Sequence, residues 1–187
     1  TYNFGEIIQS FDGSIYAAVS YTTSVIDGNN VYAMLIKFDE DGNELWRTKM
    51  DHLPIVGDFG NAGADVAFSL IEDVNGDIIV GTSSQESQSN RRMTIWKLDT
   101  SGNLIFKKFI DGGGSSSMEA MAVSISDDSS GNYYVLGTNQ NKVEIRKVDN
   151  DGDYINRIII GEGCNRCDPK YGFGRISKYN NNFIVSF

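Results

Sequence analysis

The chain has 187 residues, of which 40% are apolar, and this is enough for a globular domain with a hydrophobic core. Its formal net charge of −9 would be repelled by phosphate backbones and anionic lipid, so we predict no nucleic-acid binding. No apolar stretch approaches the ~20 residues needed to cross a bilayer, so we predict no direct membrane insertion.

Two sequence patterns alternate along the chain. The first is a turn followed by apolar residues, and its four copies begin at Ile7, Ser69, Ser124 and, incompletely, Arg175. The second is Lys-x-Asp-x-x-Gly, and its three copies are Lys37–Gly42, Lys97–Gly102 and Lys147–Gly152. Repetition at intervals of about 50 to 60 residues is typical of a repeat architecture.

Each repeat divides into four short segments rich in Val, Ile, Tyr and Phe, separated by clusters of Asp, Asn, Gly and Ser. This pattern is typical of strands joined by hairpins. In the second repeat the strands are predicted at about 65–72, 77–83, 92–99 and 104–110. Segments 64–71 and 118–125 could form helices in isolation, but their place in the repeat and the lack of helix caps favour strands.

Four strands per repeat are what one blade of a β-propeller requires, so we predict an all-β chain of four-stranded antiparallel blades. The expected blades span about 1–50, 51–110 and 111–160, with half a blade at 161–187. Propellers close with ~4–8 blades, and a closed ring leaves no exposed strand edge. We therefore expect a partial propeller whose native polypeptide is longer or whose missing strands come from another chain. A complete open array is the alternative.

A family resemblance is carried by the segments Val80-Gly81-Thr82 and Leu136-Gly137-Thr138, by the lysine patterns and by Trp46. On these residues the repeats resemble a class of bacterial propeller repeats of about sixty residues. That class is common in secreted proteins and lipoproteins of Bacteroidota-like organisms. The resemblance covers nearly the whole chain and implies an extracellular or cell-surface bacterial propeller. It implies little about activity, because such folds host many functions.

In such a blade, the turns between strands one and two and between strands three and four share one face of the disc. These turns are short and carry Gly with Asp or Asn, as hairpin turns do. The other connections are expected to be longer loops, at about 22–30, 50–63, 83–91, 111–117 and 161–170. Binding residues tend to lie on variable loops held by a rigid scaffold. We therefore predict a binding face there, although the loops could also merely connect blades.

The candidate binding residues on this long-loop face are polar, charged or aromatic. They are Tyr21, Asp27, His52, Asp58, Phe59, Arg91, Arg92, Arg166 and Tyr171. A glycan would be held by loop aromatics such as Phe59 and Tyr171, whereas a protein partner could use the same surface. The sequence does not separate these two ligands.

Two stretches, Asp39–Glu44 and Asp149–Asp153, are similar to the start of a calcium loop because oxygen-bearing side chains alternate. An EF-hand loop also needs Gly at its sixth position and Glu at its twelfth. In the first stretch these positions hold Glu44 and Met50. Both stretches align with the plain turn Asp99–Asn103, so we predict ordinary turns and no metal site.

The only cysteines are Cys164 and Cys167. A zinc site needs four ligands, and the sole histidine, His52, lies in a different repeat. A local disulfide between the two cysteines would suit a secreted propeller, and two free thiols are the alternative.

The spacing from Asp39 to Trp46 is similar to the tryptophan-docking motif of quinoprotein propellers, but it is one residue shorter between Asp and Gly. Trp46 and Phe106 are therefore predicted to pack between blades, and no cofactor is expected. A Ser–His–Asp set would have to use His52, and no Gly-x-Ser-x-Gly elbow occurs. We predict no catalytic residue in this chain.

These observations favour a non-catalytic extracellular or cell-surface module that binds or scaffolds a glycan or protein partner on the long-loop face. One alternative is part of a polysaccharide-active hydrolase or lyase whose catalytic residues lie outside this chain. Another is a structural subunit of a larger surface assembly, in which the half blade pairs with strands of a neighbour.

Overall fold

A computed structural model describes residues 2–25, 28–50, 65–87, 90–110, 121–139, 142–161, 174–179 and 182–186. These residues form fourteen β-strands, arranged in three four-stranded sheets and one two-stranded sheet. In every sheet the strands follow chain order and are antiparallel. The expected all-β class with four-stranded antiparallel sheets is therefore confirmed.

The strands are numbered in chain order. Sheet 1 contains β1 (Tyr2–Gln9), β2 (Ile15–Val25), β3 (Gly28–Phe38) and β4 (Glu44–Met50). Sheet 2 contains β5 (Val66–Glu72), β6 (Ile78–Ser87), β7 (Asn90–Leu98) and β8 (Leu104–Phe109). Sheet 3 contains β9 (Met121–Asp127), β10 (Tyr133–Asn139), β11 (Lys142–Val148) and β12 (Tyr154–Gly161). Sheet 4 contains β13 (Arg175–Tyr179) and β14 (Asn182–Ser186).

Two of the predicted long loops, 22–30 and 83–91, are wrong, because most of their described residues pair as strands. In sheet 1 the β2–β3 ladder continues to the pair Val25↔Gly28, and in sheet 2 the β6–β7 ladder continues to Ser87↔Asn90. The polar composition of these segments indicated loops, but antiparallel pairing satisfies backbone groups whatever the side chains. The matching ladder of sheet 3 stops earlier, at Asn139↔Lys142.

The sheets therefore have two unlike ends. We call the end with the β2–β3, β6–β7 and β10–β11 connections the hairpin end. The opposite end carries the tight glycine turns, and we call it the turn end. There, six glycines with φ between 79° and 88° provide the left-handed residue that each turn requires.

Successive sheets pack face to face through apolar side chains. Between sheets 1 and 2 the core includes Tyr16, Leu35, Leu70 and Trp96. A second core lies between sheets 2 and 3, and it includes Ile79, Ile95, Ala122, Tyr133 and Val148. A smaller cluster, including Leu136, Ile145 and Ile176, joins sheets 3 and 4. Because Ile95 and Trp96 enter different cores, the strands of sheet 2 are buried on both faces.

The first strands of the sheets also contact one another in series, β1 with β5, β5 with β9 and β9 with β13. In each of sheets 1 to 3, a side-chain oxygen at the same repeat position accepts a hydrogen bond from a backbone N–H group in the first strand of the following sheet. Glu6 Oε2 accepts from Leu70 at 3.0 Å, and Ser69 Oγ accepts from Ile125 at 3.2 Å. Ser124 Oγ accepts from Ile176 at 3.2 Å. These contacts explain why a polar residue lies within the otherwise largely apolar first strand of each complete repeat.

The glycine turn between the third and fourth strands of one sheet docks on the fourth strand of the preceding sheet. Thr48 Oγ1 donates to the carbonyl of Gly102 at 2.8 Å, and Trp46 Nε1 donates to Thr100 at 3.2 Å. Gly152 packs in the same way on Phe106, whose ring would lie 2.6 Å from an added Cβ. The predicted packing role of Trp46 and Phe106 between sheets is confirmed.

The docked and undocked turns provide a matched pair of substitutions. A Cβ at Gly102 would lie 2.8 Å from Thr48 Oγ1 and 2.9 Å from Trp46 Cε3, whereas a Cβ at Gly42 meets nothing within 4 Å. Both glycines have a left-handed φ, so either alanine variant should lose about 1–2 kcal/mol through backbone strain. Gly102→Ala should lose about 1–3 kcal/mol more through overpacking. Urea unfolding measures both losses, and equal losses would contradict the docking.

Candidate functional site

Three of the predicted binding residues, Tyr21, Arg91 and Arg92, lie in described strands at the hairpin end. Tyr21 is in β2, half-buried against an apolar cluster that includes Val19 and Met34. Arg91 and Arg92 are half-buried in β7 of sheet 2. The structure therefore places them on different sheets and on ordered ladders rather than on loops.

The other predicted site residues lie outside the described residues. They are Asp27, His52, Asp58, Phe59, Arg166 and Tyr171. Cys164 and Cys167 also lie outside them, so their pairing stays a prediction.

Cation–ring contacts recur between the third and fourth strands at the hairpin end. In sheet 1, Lys49 Nζ lies 3.4 Å from the centre of the Tyr32 ring. In sheet 2, Arg92 Cζ lies 4.6 Å from the centre of the Phe109 ring. The two pairs are at equivalent repeat positions, with the cation and the ring exchanged between strands. Such contacts stabilise a charged group at a partly buried site, so they hold cations in defined positions at this end.

At the turn end, the aspartate that opens each Asp-x-x-Gly turn is occupied by the turn itself. Asp39 Oδ1 accepts the N–H groups of Asp41 and Asn43, at 3.1 and 2.7 Å, and Oδ2 accepts from the Asn43 side chain. These hydrogen bonds, first that of the Asn43 side chain, lower the pKa of Asp39. Asp99 makes the same contacts. The interpretation of the calcium-like stretches as turns is confirmed.

A buried polar cluster that the sequence did not predict joins sheets 2 and 3 at the turn end. Lys97 Nζ lies 3.0 Å from Asp73 and 3.2 Å from Asp77 of its own sheet. From sheet 3 it meets the Tyr133 hydroxyl at 3.1 Å and the Asn150 side chain at 2.9 Å. The side chains of Lys97 and Asp73 are only 4% and 3% exposed. The recurrence of the lysine was the available signal, but its partners come from different repeats.

The equivalent lysines of the other sheets have more exposed partners. Lys37 lies 3.3 Å from Asp12, whose side chain is 55% exposed. Ser10 occupies the turn position that Asp73 has in sheet 2. Lys147 lies 3.8 Å from Asp128. One lysine position thus makes a buried ion pair in sheet 2 and weaker pairs in sheets 1 and 3.

The buried cluster holds its members in fixed charge states. Burial raises the pKa of Asp73, but hydrogen bonds from Lys97, the Asn75 N–H and Tyr133 outweigh burial and lower it. Burial lowers the pKa of Lys97, but Tyr133 and Asp73 outweigh burial and raise it. Burial, followed by the contact with Asp73, raises the pKa of Tyr133.

These shifts argue for a structural role. General acid–base and nucleophilic catalysis need a group whose pKa lies near the working pH. Here the lysine and the carboxylate are moved away from neutrality, each by its partner. Nothing in the described strands and turns points to catalysis. Within the same residues no group of three or more His, Cys, Asp or Glu could hold a metal ion.

Comparisons with known proteins add information on the fold. Neither a protein-family model nor a curated protein matches the sequence. A crystal structure of a protein of unknown function from Bacteroides caccae is similar, with a TM-score of 0.61 at 15% identity. The match covers 98% of this chain and 53% of that one, so the chain spans about half of that protein's length.

No helix among the described residues is long and apolar enough to cross a membrane.

Removing the buried lysine should cost far more than removing its counterpart in sheet 1. Lys97→Met leaves the Asp73 carboxylate buried without its cation, which should destabilise the fold by about 3–5 kcal/mol. Lys37→Met leaves Asp12 in solvent, and the lost ion pair should cost about 0–1 kcal/mol. Guanidinium unfolding at neutral pH measures the loss of unfolding free energy in each variant. Equal losses would contradict the structural role assigned to the buried cluster.

Lowering the pH should remove the contribution that the Asp73 carboxylate makes to the stability of the fold. Its folded pKa lies below the ~3.9 of an unfolded aspartate, so its contribution is complete above that pH and is lost as the pH falls through the folded value. The stability difference between the wild type and Asp73→Asn should therefore shrink as the pH falls from about 6 to about 2. The Tyr133→Phe variant lacks the hydroxyl that donates to Asp73, so the pKa of Asp73 should be higher in it. The stability that Asp73 contributes should therefore begin to be lost at a higher pH than in the wild type. A difference that does not change with pH, measured by urea unfolding, would contradict this assignment.

Proposed function

We propose that the four sheets are successive blades of a β-propeller that acts as a non-catalytic binding module. Support for the propeller comes from the order of contacts. Each sheet is a meander, and the first strands of successive sheets contact one another in series. In sheets 2 and 3, the turn between the third and fourth strands docks on the preceding sheet. Arg175 of β13 also reaches back to Glu6 of β1, with 3.8 Å between Nη2 and Oε1. Contact between the first and fourth sheets is expected where first strands surround an axis.

The observation that carries the binding role is the difference between the two ends. At the turn end, the carboxylates accept hydrogen bonds from their own turns and the glycines that dock are buried. At the hairpin end, two ladders extend beyond that of sheet 3, and in each of these two sheets a cation is stacked on a ring between the third and fourth strands. Rigid strands that support variable connections are a common arrangement for recognition.

The proposed ligand is a glycan or a protein segment that contacts the hairpin end. Arg91 lies in β7 near the end of the β6–β7 ladder, and the predicted residues Phe59 and Tyr171 belong to connections expected at the same end. Aromatic and arginine side chains are the residue types that most often carry binding energy at interfaces. The location proposed for the module is extracellular or on the bacterial cell surface, and this rests on the resemblance of the repeats.

A panel of purified polysaccharides, titrated calorimetrically, tests the glycan ligand. Arg91→Ala and Tyr171→Ala should each weaken binding at least tenfold, because removing one such contact costs more than ~1.4 kcal/mol. Arg47→Ala is the matched control, since this arginine is exposed in β4 and pairs with Glu44 near the turn end. Equal affinity in all variants would overturn the assignment to the hairpin end. If the wild-type chain binds no polysaccharide, the glycan ligand is wrong.

A further inference from the structure

Positive charge is segregated within the four-stranded sheets. In sheets 1 to 3, every lysine and arginine of a described strand lies in the third or fourth strand of its sheet. The segregation is strongest in sheet 2, where β7 and β8 contain no acidic residue. The five cations of these two strands are Arg91, Arg92, Lys97, Lys107 and Lys108. In a chain with a net charge of −9, β7 and β8 are therefore a local concentration of positive charge.

Two of these five cations join neighbouring sheets. Lys97 is held in the buried cluster, 3.0 Å from Asp73, and it also meets side chains of sheet 3. Lys108 Nζ lies 2.6 Å from Asp153 Oδ1, which is in the third-to-fourth-strand turn of sheet 3. The charges of Lys97 and Lys108 are thus balanced by carboxylates and serve the packing of the sheets.

Arg92 and Lys107 instead share one face of sheet 2 with two aromatic rings. In the β7–β8 ladder, Trp96 is opposite Lys107 and Thr94 is opposite Phe109. Residues that are opposite in a ladder, and every second residue along a strand, lie on the same face of a sheet. Arg92, Trp96, Lys107 and Phe109 are therefore on one face, and we call these four residues the basic row.

The rings hold the two cations side by side. Arg92 Cζ lies 4.6 Å from the centre of the Phe109 ring, and Lys107 Nζ lies 5.5 Å from the same centre. Lys107 Nζ also lies 4.3 Å from the centre of the Trp96 ring. That ring is itself fixed, because Trp96 is only 4% exposed and its Nε1 donates to Thr82 Oγ1 at 3.1 Å. The two cations are thus pre-organised as neighbours, which reduces the entropy that a ligand must remove.

The basic row extends from the core towards the hairpin end. Trp96 is buried between sheets 1 and 2, whereas Lys107, Phe109 and Arg92 are half-buried. Arg92 is seven residues from Asp99 at the turn end, which is about 23 Å at ~3.3 Å per residue. The screening length at physiological ionic strength is ~8 Å, so the carboxylates of the turn end have little effect on an anion at Arg92.

The chemistry of the basic row specifies a class of ligand. The planar guanidinium of an arginine can bind a carboxylate through two parallel hydrogen bonds, and a lysine adds a compact positive charge. An aromatic ring provides a flat apolar surface. A uronic acid combines a carboxylate with a sugar ring that has an apolar face, so a chain of uronic acids carries both features at every unit.

We propose that the basic row binds a carboxylate-bearing polysaccharide. One carboxylate pairs with Arg92, another is attracted to Lys107, and a sugar ring packs on Phe109. This inference rests on the proposed function, because it names the class of glycan that the hairpin end binds.

Polygalacturonate is a suitable probe, and its fully methyl-esterified form is the matched ligand without charge. Calorimetric titration of the intact 187-residue chain should show at least tenfold tighter binding of polygalacturonate than of the ester. The affinity for polygalacturonate should fall as the salt concentration rises from about 0.05 to about 0.3 M, because salt screens the ion pairs. The affinity for the ester should not change with salt.

Matched variants locate the binding on the basic row. Arg92→Gln and Lys107→Gln should each weaken the binding of polygalacturonate at least tenfold. Lys108→Gln is the control, because it removes the same charge from the same strand but on the other face, opposite Ile95. Its affinity should stay within about twofold of the wild type. Lys107→Arg keeps the charge and should also bind within about twofold, which separates loss of charge from loss of packing.

The outcomes distinguish this inference from the proposed function. Equal affinity for polygalacturonate and its ester, or equal weakening by Lys107→Gln and Lys108→Gln, would overturn the acidic ligand but leave a glycan-binding module. Failure to bind any polysaccharide would contradict both. If polyglutamate displaces polygalacturonate at the same concentration of carboxylate, the basic row recognises carboxylates without the sugar, and the glycan ligand assigned to it is wrong.

Discussion

Backbone N–H groups at the seams between first strands constrain the rest of the fold. β1, β5, β9 and β13 touch but belong to separate sheets, so they share no ladder that would satisfy these groups. A buried N–H without an acceptor costs about 1–3 kcal/mol. Side-chain oxygens are the acceptors. Ser20 Oγ accepts a hydrogen bond from the Ala67 N–H, and Ser69 Oγ accepts one from the Ile125 N–H. Each sheet therefore depends on its predecessor, and stability is expected to accumulate from neighbour to neighbour.

The seams share geometry but not chemistry. Between sheets 2 and 3, Asp73, Tyr133 and Asn150 surround Lys97. Between sheets 1 and 2, the matching positions hold Ser10, Ile78 and Thr100. If sheet 2 faced Ile78 in place of Tyr133, Asp73 would lose the hydroxyl that donates to it and Lys97 would lose an acceptor, so exchanging the neighbouring sheet alone is destabilising. These combinations act against incorrect sheet neighbours as well as in favour of correct ones.

The parts of the fold that follow from local chemistry were predictable. Glycine with Asp or Asn marked the six tight turns, and the apolar segments between turn clusters placed the strands of sheet 2 close to their observed positions. The 22–30 segment was predicted incorrectly, because Thr, Ser and Asn indicate a loop although their backbone pairs as a ladder. The buried cluster around Lys97 was not predictable from spacing, since Asp73 and Tyr133 are distant in sequence and meet only through sheet packing.

The acidic turn end illustrates why composition alone is a poor guide to binding. It carries many of the chain's carboxylates, and its sequence alternates oxygen-bearing residues as a calcium loop does. However, Asp39 Oδ1 already accepts two N–H groups, and Asn43 occupies Oδ2. A cation would have to compete with three hydrogen bonds that also maintain the turn and, in sheets 2 and 3, its docking. Packing therefore restricts this end, because a change that freed these carboxylates for a cation would also disturb the turns that they maintain.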